Sequence, residues 1–251
     1  MRSVFFTKPK KLTEEMLGFM LDQGEDVLAV VVSGKAQYAD SGLFRMCDEA
    51  GADIVDYDDC DAFFRDHDGE IDMIWCCTFP KIVKGEWLCS ASTAAVNFHP
   101  APLPDYRGAF LYNFAILNGE EEYGVTAHLM SERFDEGALI EVDRFPFDCA
   151  NRPLSELVSV SEGRLLELAK RTYLRFVSGE EVRAIPQDPA SGAYYSRKLF
   201  EESKRVRLDE DPEAIERRIR AFWIPPHEGA YVEIGGERFY LATKEMLDGL
   251  R

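Results

Sequence analysis

Three side chains combine residue types and spacing suited to chemistry on a carbonyl carbon: Asn97 and His99 in Asn97-Phe98-His99-Pro100, and Asp135 in Phe134-Asp135-Glu136-Gly137, 38 positions after Asn97. An amide N–H can donate to an oxygen that gains negative charge, an imidazole titrates near neutrality, and a carboxylate can orient that imidazole. Along an extended strand side chains alternate between faces, so Asn97 and His99 project together while Phe98 enters the opposite layer. Pro100, Pro102, Pro104 and Gly108 then force the chain out of the strand into an irregular loop, where functional side chains are usually displayed. Each residue alone also has an ordinary structural reading: Asn97 as a turn cap, His99 as a satisfied core histidine, Asp135 as a solvated carboxylate.

The elements that must hold these groups follow from apolar periodicity. Apolar runs at residues 4–6, 27–32, 54–55, 73–77 and 96–99, separated by helical stretches, predict an α/β fold with a doubly wound, mostly parallel sheet. The first helix is expected to have Thr13 as its N-cap, Glu14 and Glu15 in its first turn, Leu12 and Leu17 as a hydrophobic staple, and Gly24 as its stop. Residues 112–117 read as a short apolar helix, and 123–130 and 139–147 as later strands with Asp135 on the loop between them. Apolar positions 154, 157, 158, 165 and 168 suit one long helix over 153–177, with Asn151 as a cap and Gly179 as its stop.

From about residue 186 a small C-terminal unit is expected, giving a division into a catalytic domain, 1–185, and a subdomain, 186–251. Asp211-Pro212 opens a helix with Ile215, Ile219 and Phe222 on one face, and Gly235-Gly236 turns a hairpin. That hairpin, or the helix before it, offers a surface for a homodimer.

Read in order, Asn97-x-His99-Pro100, Leu103-Pro104-x-Tyr106-Arg107-Gly108, Gly124-Val125-Thr126 and Asp135-x-Gly137 resemble the core signature of the folate-dependent formyltransferases. Arg218-Ile219-Arg220-Ala221-Phe222, then Pro225-Pro226 and Gly229-Ala230-Tyr231, is similar to that family's segment after the catalytic domain. The wording at residues 96–104 and 115–120 is most like the nucleotide-sugar N-formyltransferases. The resemblance implies a Rossmann-like formyltransferase fold, N10-formyltetrahydrofolate as co-substrate, and a nucleotide-linked amino sugar as acceptor, foremost a dTDP-4-amino-4,6-dideoxyhexose for cell-surface polysaccharide.

It also implies roles for individual residues. His99 would be the general base, Asn97 the donor to the oxyanion, and Asp135 the group that orients His99 and stabilises its cation. Folate would lie against Thr78, Phe79, Pro80, Lys81 and Ile82 after the fourth strand and against Glu136 and Gly137, although Phe79 and Ile82 read equally as core. For the acceptor, Arg107 can fix an anion or a loop, Tyr112 and Asn113 can line a sugar pocket, and Tyr194, Tyr195 and Lys198 combine aromatic faces with charge suited to a base and a diphosphate. His128, on a strand, and His227, in a Pro-rich turn, read as structural. The chain departs from the family at residues 7–11, Thr-Lys-Pro-Lys-Lys, where many members carry Gly-Thr. The absence of GxGxxG there also disfavours a nicotinamide cofactor.

Composition narrows the alternatives. The 251 residues are 46% hydrophobic and 30% charged, enough for a large core. No run of about 18 apolar residues could span a bilayer, and the N-terminal segment reads as a strand rather than a signal, so a cytoplasmic protein that does not enter membranes is expected. Six cysteines lack CxxC or zinc-site spacing, so no metal is expected, and Cys76 and Cys77 on one strand would face opposite layers.

A net charge of −17 disfavours nucleic-acid partners, because such binding draws on Lys and Arg neutralising phosphates. Residues 197–220 nevertheless hold eight basic against seven acidic residues, room for one diphosphate. The acidity and the short C-terminal unit set methionyl-tRNA formylation second. Glycinamide ribonucleotide formylation shares the trio but fits residues 219–231 poorly. A non-catalytic nucleotide-sugar binding protein is a reading of another class, weakened by retention of all three polar residues.

Overall fold

The computed structural model describes residues 1–188 and 190–248. Its first half alternates strand and helix: β1 (Arg2–Thr7), α1 (Lys11–Asp22), β2 (Asp26–Val32), α2 (Gly42–Ala50), β3 (Asp53–Asp56), α3 (Cys60–Asp66), β4 (Met73–Cys77), α4 (Gly85–Leu88) and β5 (Ala94–His99). The second half runs β6 (Tyr106–Gly108), α5 (Leu111–Asn118), β7 (Glu122–Leu129), β8 (Leu139–Pro146), α6 (Leu154–Val177), β9 (Ala193–Tyr195), α7 (Arg197–Ser203), α8 (Pro212–Ala221), β10 (Tyr231–Ile234) and β11 (Glu237–Tyr240). Seven strands form the central sheet in the order β3-β2-β1-β4-β5-β7-β8. The pairings through β5 are parallel and the last two antiparallel.

This is the doubly wound, mostly parallel sheet expected from the sequence, and alternation within each strand explains its two covered faces. Phe5, Val30, Trp75, Cys77, Val96 and Phe98 point to one side, where α1, α2 and α6 supply Leu17, Leu43, Leu165, Leu168 and Tyr173. Val4, Phe6, Val31, Ile74 and Cys76 point to the other, against Phe63, Phe64 and Trp87 of α3 and α4. Cys76 and Cys77 therefore do fall in opposite layers. Phe98 is 1% exposed and its ring stacks on Trp75, with centroids 6.0 Å apart, so the residue between Asn97 and His99 locks β5 in register.

Two helix starts differ from expectation. Helix α1 begins at Lys11 with Lys10 as its cap residue, and Thr13 sits one turn in, its hydroxyl accepting from the Lys10 N–H at 3.1 Å. Thr13 thus acts in the reciprocal position of a capping box rather than as the cap. Leu12 and Leu17 are core residues, not a staple across the helix start. Helix α6 is capped by Pro153, while Asn151 stays in the preceding turn, held by Asp148. The expected stops hold: Gly24 and Gly179 follow their helices with φ of +77° and +75°.

The C-terminal residues pack on the main body. Strand β9 pairs with β6, and Phe200, Phe222, Ala230 and Val232 share one apolar cluster with Tyr106, Phe114, Tyr123 and Leu157. Asp211 caps α8 as expected, accepting from Glu213 and Ala214. Buried Arg220 donates to the carbonyls of Cys149 and Arg152, tying α8 to the start of α6. Gly235 and Gly236, with φ of +62° and +87°, turn the β10–β11 hairpin.

Candidate active site

Strand β5 ends at the mouth of a cleft of about 350 Å³. Its lining includes Asn97, His99, His128 and Asp135, the segment after β4 from Thr78 to Val83, and Met130, Ser131, Arg133, Phe134, Tyr194 and Arg197. The sequence trio is therefore brought together. Antiparallel pairing of β5 with β7 sets Asn97 opposite His128, which puts their side chains on the same face. On the other side of β7 the register with β8 slips at the same point, from Ala127 opposite Glu141 to His128 opposite Leu139, which leaves Ile140 of β8 as the bulged residue.

His99 is 4% exposed and has an acceptor at each ring nitrogen. Nε2 lies 2.8 Å from the Tyr106 carbonyl and therefore carries a hydrogen; Nδ1 lies 3.2 Å from Asp135 Oδ1. Burial alone would push this imidazole's pKa down. The Asp135 charge, the hydrogen bond to it and the Tyr106 carbonyl together outweigh burial and raise it above its ordinary 6.5. Asp135 responds in the opposite sense: burial works to raise it, but His99, then His128 and the Gly108 N–H, hold it well below the usual carboxylate range.

The Asp135 loop is built around this contact. Asp135 adopts φ +56°, and its Oδ2 accepts from Gly108 N–H at 3.0 Å. Gly108 has φ +98°, and a Cβ there would lie 2.4 Å from the Tyr195 carbonyl oxygen. A Cβ on Gly137 would lie 1.7 Å from the Leu129 carbonyl oxygen, so the backbone of the Asp-x-Gly segment presses directly on the end of β7. Gln187 clamps the same loop from outside, its amide donating to the carbonyls of Asp135 at 2.8 Å and Gly137 at 2.6 Å.

The other expected site residues divide. Thr78, Phe79, Pro80, Lys81 and Ile82 line the cleft, with Thr78 at φ +56°, Phe79 also packed edge-on against Phe6 and Ile82 43% exposed. Glu136 and Gly137 lie beside the cleft, Glu136 pairing with Arg133 at 3.4 Å. Tyr194 lines it. Tyr195 does not: its ring stacks on Tyr106 with centroids 5.0 Å apart, and its hydroxyl accepts from Asn118. Lys198 points away, 84% exposed and 3.8 Å from Glu202, and the neighbouring Arg197 takes the place at the rim, over the Phe110 ring.

Arg107 is buried behind the mouth, with Nη2 donating to the Asp188 carbonyl at 3.3 Å. Tyr112 and Asn113 are turned from the cleft. The Tyr112 ring packs on Tyr123, and Asn113 donates to the Ala221 carbonyl at 2.7 Å, a link between α5 and α8. Helix α5 buries Asn113 together with Leu111, Phe114, Ala115 and Ile116, so burial on it does not follow polarity and its sequence carries no face to read. His128, which the sequence reads as structural, lines the site, and Gln187, which carries no sequence signal, braces it; His128 sits in the Gly124-Val125-Thr126 strand two residues past the motif, on the face set by alternation. Among the described residues no group of three or more His, Cys, Asp or Glu side chains is placed to hold a metal ion, and no helix is long and apolar enough to cross a membrane.

Residues 64–162, which contain every group of the trio, match the family model described as formyl transferase. A methionyl-tRNA formyltransferase of Gluconacetobacter diazotrophicus is 32% identical over 190 residues, 76% of this chain and 59% of that protein. The chain thus spans little more than half the length of that enzyme and of its Lactobacillus acidophilus counterpart, 55% in the second case. A GDP-perosamine N-formyltransferase of Brucella melitensis is 30% identical over 180 residues, 71% of this chain and 67% of its own length.

Among solved structures, a 4-N formyltransferase from Francisella tularensis superposes with a TM-score of 0.77 at 19% identity over 96% of both chains. An N-formyltransferase from Helicobacter canadensis, in complex with folinic acid and dTDP-3-aminofucose, superposes with 0.74 at 20% identity, covering 95% of this chain and 86% of that one. Those two likenesses speak to the fold; sequence identity with the Brucella protein over two thirds of its length, together with the family-model match that contains the trio, makes this chain a member of the formyl transferase family.

Proposed function

We propose that this protein transfers a formyl group from N10-formyltetrahydrofolate to the amino group of a nucleotide-linked amino sugar. The observation that carries the reading is the convergence of Asn97 and the His99–Asp135 pair in one cleft that the segment from Thr78 to Ile82 also lines. In the reaction the neutral amine attacks the formyl carbon, an oxyanion forms, and the bond from that carbon to the folate nitrogen breaks. The amine gives up one proton and the folate nitrogen gains one, so the products are a formamide and tetrahydrofolate. Asn97 donates to the oxyanion, where one well-placed donor is worth about 10²–10³ in rate.

His99 accepts the amine proton at Nδ1, because its Nε2–H is committed to Tyr106. Asp135 holds the conjugate acid and so makes the base stronger, while reducing the fraction that is free at neutral pH. Folate lies along residues 78–82, and the Tyr194 and Arg197 rim takes the acceptor. The net charge of −17 and the Brucella and Helicobacter proteins, whose names specify sugar nucleotides, support a sugar over a tRNA. A dTDP-linked 4-amino-4,6-dideoxyhexose is the first substrate to try.

The test is tetrahydrofolate release by purified protein given formyl-folate and a panel of dTDP-, UDP- and GDP-linked amino sugars. Turnover with at least one of them, abolished in His99→Ala, is expected; a loss of only about twofold in that variant, against the 10²–10⁴ usual for a general base, would remove His99 from the role. The methionyl-tRNA relatives favour a second reading, formylation of methionyl-tRNA. Tight, salt-sensitive tRNA binding with no sugar turnover would establish it.

A further inference from the structure

His128 lines the same cleft as the trio, 2% exposed, and none of the steps above uses it. Its Nδ1 lies 2.7 Å from the Leu129 carbonyl oxygen, which can only accept, so Nδ1 carries the ring hydrogen. In a neutral imidazole Nε2 is then a bare acceptor, and it lies 3.0 Å from the Asn97 amide. An amide has one end that donates and one that accepts. Only the NH2 end can face a bare nitrogen, so the Asn97 flip is dictated by the ring.

The surroundings keep this ring neutral. Burial pushes its pKa down to about 4, against the pull of Asp135, whose Oδ1 lies 3.9 Å from Nε2, and with the push of the His99 ring, whose centroid lies 6.3 Å away. One carboxylate beside two imidazoles can balance one cation, and the closer contact, at His99, takes it. The carbonyl that fixes the His128 tautomer is the one against which Gly137 packs, where a Cβ would lie 1.7 Å away. The glycine of the Asp-x-Gly motif thereby supports the chain Leu129 carbonyl, His128, Asn97.

We infer that His128 is a positioning residue for the formyl transfer proposed above: as a fixed acceptor it holds the Asn97 amide in the single orientation that leaves its second N–H for the oxyanion. Without that acceptor the amide populates both flips, and one of them sets an oxygen lone pair where a donor is needed. The inference rests on the catalytic reading of Asn97, yet the tautomer and the amide orientation can be observed without any turnover.

Nitrogen-15 NMR of the histidine-labelled full chain at pH 7 should show His128 neutral with its hydrogen on Nδ1; an Nε2–H tautomer, or an imidazolium, would overturn the inference whatever the substrate proves to be. With the amine that the panel identifies, His128→Leu should lower kcat about tenfold or more, with KM for folate within about twofold, as expected when a transition-state contact is lost. His128→Gln, which restores an acceptor, should recover most of that loss at equal melting temperature. In an Asn97→Ala background, His128→Leu should change kcat by less than about twofold, because a residue acting through Asn97 has nothing left to act on. Full additivity of the two losses would reduce His128 to packing. A protein that formylates none of the amines refutes the proposed function, and the NMR result then decides the His128–Asn97 arrangement alone.

Discussion

The mouth formed by β5 and β7 and the C-terminal surface around α7, α8 and the hairpin both concentrate polar residues, and they treat them in opposite ways. At the mouth, His99, His128 and Asp135 are all less than 9% exposed, and each of their ring nitrogens and carboxylate oxygens faces a specific partner. At the C-terminal surface, charges such as Lys198 with Glu202 and Arg205 with Glu233 pair at 3.8 Å with both partners largely in solvent. Low dielectric makes each interaction at the mouth strong and each missing partner costly, whereas water screens the surface pairs. Chemistry is therefore concentrated where polarity is buried, and substitutions should separate the two regions sharply.

The largest separation is expected from Asp135→Asn. A general base contributes about 10²–10⁴ in rate, and loss of its partner should remove much of that. The pH profile supplies the sign. His99 acts as a base only when deprotonated, so the wild-type rate should rise as pH climbs through a value above 6.5, the ordinary value that the Asp135 charge raises. Without that charge burial is left to dominate, and the limb should move below 6.5. Linkage gives a matching stability signature: the His99 contribution is fully present below 6.5 and is lost as pH rises through its folded value, while the Asp135 contribution is present above its ordinary 3.8 and lost as pH falls. Asp135→Asn should flatten both sides of that window in melting curves. An unmoved rate limb would show that another group titrates.

Asn97→Ala comes next, with an expected loss in kcat of about 10²–10³ and little change in melting temperature, since Asn97 is only half-buried and, among the described residues, its side chain bonds to His128 alone. Equal effects on kcat and stability would place Asn97 with the scaffold. Gly108→Ala should act through structure instead. The added methyl must adopt φ +98° and meet the Tyr195 carbonyl, a cost of about 1–3 kcal/mol for the backbone conformation alone, read as a lowered denaturation midpoint.

The same contrast explains what could be read from the sequence. Strand runs and the face shared by Asn97 and His99 follow from period-two alternation, which is local, and the trio follows from a motif long enough to exceed chance. His128 was missed because its meaning lies in the register between β5 and β7, a pairing across 31 positions that alternation cannot supply. Tyr112 and Asn113 are not legible from the sequence because α5 buries polar Asn113 together with Leu111, Phe114, Ala115 and Ile116, so polarity does not mark its exterior. Thr13 carried a real helix-start signal, but a threonine can serve at the cap or three residues inside it, and only backbone geometry separates the two.

The smallest effect gives the sharpest test of where the cleft ends. Arg197 and Lys198 are adjacent cations at the start of α7, yet Ser196, by capping that helix through the Leu199 N–H, turns Arg197 to the rim and Lys198 to solvent. If the rim takes the anionic acceptor, Arg197→Ala should raise the acceptor KM with kcat nearly unchanged, the mark of a contact made equally in ground and transition states. Lys198→Ala should leave KM unchanged and stability within about 0.5 kcal/mol, as for most exposed substitutions. Equal rises in KM for the two variants would mean that the acceptor senses only the summed positive potential of the segment, and the boundary between buried chemistry and screened surface would then lie further out, beyond α7.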